Sequence, residues 1–262
     1  MADTAATRIE QRVGAMSLRD VTFGYGATTV VEAVTAQLAA GRLTVLLGPN
    51  AAGKSTLLRL MLGQLSPRRG VCEVDGHDVA TLDATRRAAV LSYVPQHSTA
   101  VFAFTVRQVV AMGRHALPRD PAAIHEALAA CDLLDLQHRI YRELSAGQQQ
   151  RVLLARAVAQ AVGQGRIMLL DEPVSSMDLR HVEATMRLLK ELAGRGLAVL
   201  AVLHDLNLAA RWADELWLMH RGRLVATGTV EQVLQPSVLE PVYGVPLRNV
   251  AQAGQRPVLV AE

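Results

Sequence analysis

The residues GPNAAGKST, Gly48 to Thr56, constrain the fold of this chain more than any other stretch. They satisfy G-x-x-x-x-G-K-[ST], and the apolar run LTVLL (43–47) before them and LLRLMLGQL after them supply the strand and helix that the motif requires. Glycines let backbone amides turn inward on phosphate oxygens, Lys54 reaches the terminal phosphates, and the Ser55 hydroxyl can hold Mg2+. Gly48, Pro49, Asn50, Ala51, Ala52, Gly53, Lys54, Ser55 and Thr56 form the candidate phosphate-binding set. A strand, a loop and a helix in that order commit the domain to an α/β architecture.

The rest of the chain agrees with that commitment. Short apolar runs alternate with helical patterns: AVLSYV (89–94), IMLL (167–170), LAVLAVL (197–203) and ELWLM (215–219). Continuous apolar strands of this kind are buried on both faces of a largely parallel sheet. MSLRDVTFGYG and GVCEVDGHDV alternate around glycines and predict antiparallel strands on one flank. Residues 97–160 carry helical patterns instead, among them DPAAIHEALAACDLL, where Asp120 caps and Pro121 fills the first turn. That segment is expected to form a helical subdomain inserted in the sheet domain, which spans 16–262 after a tail at 1–15. HRGRLVATG reads as a hairpin, PSVLEPVYGV lies among two short helices, and the last residues as a short strand.

RIMLLDEP (166–173) sets Asp171 and Glu172 just past the carboxyl end of a buried strand, where open α/β sheets bind ligands. Asp171 is a candidate Mg2+ ligand and Glu172 a candidate for polarising an attacking water. LSAGQQQRVLLARAVAQ (144–160) poses a different problem. Ser145, Ala146 and Gly147 are small and begin a helix, an arrangement that receives anions, yet the chain already has one phosphate loop.

Bulk properties narrow the classes. The net charge is +3 and spread along the chain, so no nucleic-acid footprint is read. Arginine supplies nearly all the positive charge, because Lys54 and Lys190 are the only lysines. Cys72 and Cys131 fit no metal or disulfide spacing and suit a reducing compartment as core residues. MADTAATRIEQR has no apolar segment of a secretory signal, and no apolar run reaches the length of a membrane helix. A soluble chain is expected, with any membrane role coming through a partner.

Taken in order, Lys54, Gln96 in YVPQ, LSAGQ, LLDEP, SSMD and His204 in VLHDLN resemble the nucleotide-binding subunit of an ATP-binding-cassette (ABC) transporter over nearly the whole chain. The resemblance implies a RecA-like P-loop NTPase core with an antiparallel β flank and inserted helical subdomain, an ATPase activity, and ATP with Mg2+ as ligands. It implies that Tyr25 stacks on adenine, that Gln96 touches Mg2+ and water, and that His204 contacts the γ-phosphate. Glu172, His204 and Gln96 are then the catalytic set, and Ser55, Gln96 and Asp171 the metal set. Ser145, Gly147 and Gln148 would contact ATP held by a second copy in a head-to-tail dimer, with Asp178 linking the two sites. That second copy accounts for the extra anion-binding turn. Two departures stand out: Ala51 in the phosphate loop and Ala146 in place of the usual second signature glycine. Ala resists positive φ, but every charged and hydroxyl group remains, so intact activity is expected.

FTVRQVVAMGRH (104–115) and VLHDLNLAARWADELWLMHRGRLVATGT (202–229) are similar to ATPases of importers for haem, ferric siderophores and cobalamin, and DEPVSSMDLRHVE (171–183), with the slightly long AQAVGQGRIMLL (159–170) before it, is most similar to the hemin-import members. The implied setting is peripheral, at the cytoplasmic face of the inner membrane, with permease subunits bound directly and a substrate-binding protein indirectly. A soluble ABC ATPase acting on ribosomes or DNA ends is the rival from another class. It lacks support because the chain carries one cassette and no long coiled coil. An exporter is a nearer rival, but its cassette is often fused to membrane helices.

Overall fold

The computed structural model describes residues 14–96, 103–161, 166–252 and 254–261. The described residues open with β1 (Gly14–Tyr25) and β2 (Thr28–Ala39), then run through β3 (Leu43–Leu47) into α1 (Lys54–Met61). β4 (Arg69–Val74) and β5 (His77–Asp78) follow, and α2 (Ala84–Val90) leads into β6 (Leu91–Val94). The helical stretch holds α3 (Val106–Ala111), α4 (Pro121–Ala130) and α5 (Ala146–Ala161). Alternation then resumes with β7 (Ile167–Asp171), α6 (Leu179–Gly194), β8 (Ala198–Val202), α7 (Leu206–Trp212) and β9 (Glu215–His220). β10 (Arg223–Gly228), α8 (Val230–Val233), α9 (Pro236–Tyr243), β11 (Leu247–Asn249) and β12 (Leu259–Ala261) close the chain.

The central sheet has the order β10-β9-β3-β8-β7-β6, parallel except for β10 at its edge. Its apolar runs split by residue parity. Leu43, Val45 and Leu47 of β3 enter one core with Met168, Leu170, Val199 and Ala201 and the helices. Leu46 enters the other, with Leu169, Leu200, Trp217 and the antiparallel sheet. That second sheet, β2-β1-β4-β5, is the expected flank, and α1 lies within its core.

Two elements differ from the sequence reading. Residues 89 and 90 are helical rather than strand, because Asp83 caps α2 by accepting from the Arg86 amide (2.8 Å) and the helix runs through Val90. β2 carries no clear alternation. Its buried residues are Val31, Val34 and Leu38, and Ala33 between them has φ 48°, an irregularity that shifts which side chains face inward. The expected cap at Asp120 is present, accepting from Ala122 and Ala123 (3.0 Å each). Both cysteines are buried and free, and burial pushes each thiol up to about 12. Within the expected tail, residues 1–13 lie outside the described residues, as do 97–102 of the expected helical subdomain. No helix among the described residues is long and apolar enough to cross a membrane.

Candidate active site

Strand order explains how residues far apart in sequence become neighbours. β3, β8, β7 and β6 lie side by side. The phosphate loop leaves the carboxyl end of β3, His204 follows β8, Asp171 ends β7, and Gln96 follows β6. Adjacent strands are about 4.8 Å apart, so short loops from these ends converge on one edge, the place where open α/β sheets take ligands.

The phosphate loop is held from behind. The hairpin between β9 and β10 turns on Arg221 and Gly222, both at positive φ (46° and 82°). Gly222 donates its amide to Ala52 O (3.0 Å) and accepts from the Glu32 amide (2.8 Å), so the loop is bonded through this turn to β2. A Cβ on Gly53 would meet Val30 O at 2.6 Å, and one on Gly48 would meet Met219 O at 2.2 Å. Only glycine permits this approach. Ala51 does adopt φ 60°, so the loop asks an alanine for a left-handed backbone.

Lys54 is buried and donates to Gly48 O (2.7 Å) and Pro49 O (2.9 Å). Burial pushes its ammonium pKa down, against the pull of Glu172 and Asp171. Burial also pushes the Asp171 carboxyl up, opposed by the Ser55 hydroxyl and by Lys54 and Arg59. Asp171 Oδ1 is buried without a hydrogen bond, on a carboxyl that the Ser55 hydroxyl approaches. An unpartnered carboxylate oxygen next to a hydroxyl fits a hard divalent cation. Among the described residues no cluster of three or more His, Cys, Asp or Glu could hold a metal. A cation at Asp171 and Ser55 would therefore need oxygens from its substrate and from water.

Glu172 is gripped at both oxygens. Gln96 Nε2 donates to Oε2 (2.7 Å), and His204 Nε2 lies 2.5 Å from Oε1. Its backbone sits at φ 50°, and its carbonyl accepts from the amide and hydroxyl of Ser175 (3.3 and 3.2 Å). A left-handed residue costs about 1–2 kcal/mol, strain of a kind that collects at functional sites. Tyr25, at the tip of the β1–β2 hairpin, is 48% exposed and packs edge-on against Phe23, with centroids 5.0 Å apart.

The signature turn starts α5 with a reciprocal cap. Gln148 N–H donates to Ser145 Oγ (3.3 Å), and Ser145 N–H donates to Gln148 Oε1 (3.0 Å). Ala146 is the first residue of α5 and is not among the positive-φ residues, so its methyl is tolerated. Gly147 has no such freedom, since a Cβ there would meet Ser176 O at 2.6 Å. Asp178 caps α6 through Oδ1, which accepts from the His181 amide (3.0 Å). Ser145, Gly147, Gln148 and Asp178 thus share one cleft, apart from the Glu172 cluster.

Sequence reasoning missed several contacts. Gln150 of α5 donates to Pro95 O (3.3 Å), Arg156 to Tyr93 O (3.4 Å) and Gln160 to Ala88 O and Leu91 O (2.8 and 2.9 Å), so α5 is fastened along the β6 edge next to Gln96. Polar residues on an otherwise buried helix were the available signal.

A glycine-cradled phosphate loop, an acidic pair on the neighbouring strand end and a parallel sheet define a P-loop nucleotide triphosphatase. The model of the ABC transporter family matches residues 31–175, and the chain belongs to that family as an ATP-binding ATPase subunit. The Hemin import ATP-binding protein HmuV of Pseudomonas fluorescens (strain Pf0-1) is 46% identical over 227 residues, covering 84% of this chain and 88% of that protein. HmuV of Rhizobium meliloti (strain 1021) is 37% identical over 253 residues, covering 93% and 97%. Among solved structures, an inward-facing ABC transporter assigned to the metal-chelate type superposes with a TM-score of 0.79 at 28% identity, covering 95% of this chain and 97% of that one. The dimeric bacterial cassette MJ0796 gives 0.74 at 26% identity, with 82% and 98% covered.

Proposed function

We propose that this chain is the motor of a hemin importer, working as two copies beneath a membrane permease at the cytoplasmic face of the inner membrane. The observation that carries the chemistry is the Glu172 carboxylate, held by Gln96 and His204 beside the unpartnered Asp171 oxygen. The cargo rests on relatives named for hemin import that match 84% and 93% of the chain.

ATP binds with Tyr25 against adenine and its phosphates in the cradle from Gly48 to Thr56. Loop amides and the amino end of α1 receive the phosphate oxygens, and Lys54 transfers its donors from the loop carbonyls to them. Ser55, Asp171 and the Gln96 side-chain carbonyl would hold Mg2+. The Gln96 amide nitrogen faces Glu172, an acceptor, so its carbonyl is the end left for a cation. When bound, the ion neutralises charge on the β- and γ-phosphates.

Glu172 orients the attacking water, and Gln96 and His204 fix the carboxylate so that little reorganisation accompanies the attack. His204 also contacts the γ-phosphate. Ser145, Gly147 and Gln148 of the second copy close over that phosphate, which gives the anion-receiving turn its ligand. Closure reaches the permease through the Gln96 loop and the helical lobe, which Gln150 fastens together.

Growth of a deletion strain on hemin or on a ferric siderophore as sole iron source tests the reading. Loss on hemin, restored by wild type and not by Glu172→Gln, is the expected result. Growth on hemin with loss on the siderophore would replace the cargo and keep the motor.

A further inference from the structure

A cluster that runs outward from Asp178 joins the cleft of the signature turn to the rest of the helical lobe. The cleft, about 480 Å³, is lined by Ser145, Gly147, Arg151, Asp178 and His181. His181 Nδ1 lies 2.8 Å from Asp178 Oδ1, the oxygen that also takes the His181 amide. A carboxylate only accepts, so Nδ1 is the donor, and Nε2 can hold a second carboxylate only by donating too, as both ring nitrogens do in the imidazolium. Backbone and side-chain bonds from His181 hold the Asp178 carboxyl below the usual carboxylate range, which keeps it an acceptor at neutral pH. The far side of the ring, Nε2, faces Asp132 Oδ2 at 3.6 Å.

Asp132 belongs to the helical lobe, just past α4, and its own backbone is left-handed at φ 54°. It is fixed there by Arg151, a buried residue of α5. Arg151 Nη1 donates to Cys131 O (3.1 Å), Asp132 O (2.7 Å) and Asp132 Oδ2 (3.2 Å). Contacts therefore run from Asp178 through the imidazole to Asp132, on to Arg151, and along α5 to Ser145. The close approach of Gly147 to Ser176 O makes a second contact between the same two pieces. These two contacts link the signature turn to the segment that carries Asp178.

We infer that His181 is a positioning residue that ties Asp178 to the helical lobe through Asp132, so that Asp178 and the turn Ser145–Gly147 meet a nucleotide as one unit. This rests on the functional reading above. It assigns the imidazole no contact with the reacting atoms.

Steady-state ATP hydrolysis by the full chain, with ATP varied at saturating Mg2+, tests the tie in four variants: His181→Ala, His181→Asn, Asp132→Asn and the double His181→Ala/Asp132→Asn. Misplacement remote from the chemistry is expected to lower kcat about tenfold with KM within about twofold. His181→Asn keeps a donor for Asp178 but is too short for Asp132, so it should behave like His181→Ala. Asp132→Asn should match them, and the double variant should be no worse than either. A kcat within about twofold of wild type in His181→Asn, or losses that multiply in the double variant, would overturn the tie. Amide hydrogen exchange gives a readout independent of turnover: His181→Ala should speed exchange at both 131–136 and 176–180, and a rise on one side alone counts against the proposal. Wild-type hydrolysis no faster than that of Glu172→Gln would instead sink the functional reading, leaving the exchange result to judge the tie.

Discussion

At the scale of single residues, the two alanines that depart from the family pattern turn out to be unlike each other. Ala51 is left-handed, so Ala51→Gly should raise stability by about 0.5–1 kcal/mol, read as a higher thermal midpoint, with hydrolysis unchanged. Ala146 is helical, and Ala146→Gly should gain nothing. Gly147→Ala is the severe change, because its methyl would press on Ser176 O; we expect hydrolysis to fall about tenfold or more. Asp171 gives a pH signature. Its folded pKa is raised by burial, so the folded chain binds more protons than the unfolded one and loses stability as pH rises above the ordinary aspartate range, about pH 4. Asp171→Asn removes that loss: its thermal midpoint should exceed that of wild type at pH 7, and the gap should close below pH ~4, while hydrolysis is lost. These site residues were legible because motif spacing fixes which strand end each one occupies. The grip on Glu172 was not, since Gln96 and His204 meet it only once β6, β7 and β8 are placed in order, and nothing in LLDEP signals a left-handed glutamate. Asp132 carried no signal, and His181, though inside DEPVSSMDLRHVE, gave none of its partner, because their contact depends on how the lobe folds back.

Elements were readable to the extent that their periodicity was clean. The runs at β3, β7, β8 and β9 are apolar on both faces because each strand supplies two cores, and they were found within a residue or two. β2 escaped because Val31, Val34 and Leu38 are spaced as on a helix, and the left-handed Ala33 that produces this spacing leaves no mark in composition. Caps are local and were legible: Asp120→Ala should cost about 1 kcal/mol, seen as a lower denaturant midpoint with an unchanged slope. The fastening of α5 to β6 through Gln150, Arg156 and Gln160 showed in the sequence only as polar residues on a buried helix, and its acceptors, main-chain oxygens of another element, left no mark.

For the whole molecule, the functional reading requires two copies. Glu172→Gln should hydrolyse ATP at least about a hundredfold more slowly and elute as a dimer on gel filtration with ATP; a monomer under those conditions would count against the head-to-tail arrangement. Lys54, buried on the carbonyls of Gly48 and Pro49, offers a way to watch this happen. The other lysine, Lys190, is paired with Asp214 on the far side of β3 from the loop. Lysine isotope-labelled during expression would yield two side-chain signals, one of them from the phosphate loop, so the scarcity of lysine makes the chain its own reporter of nucleotide occupancy.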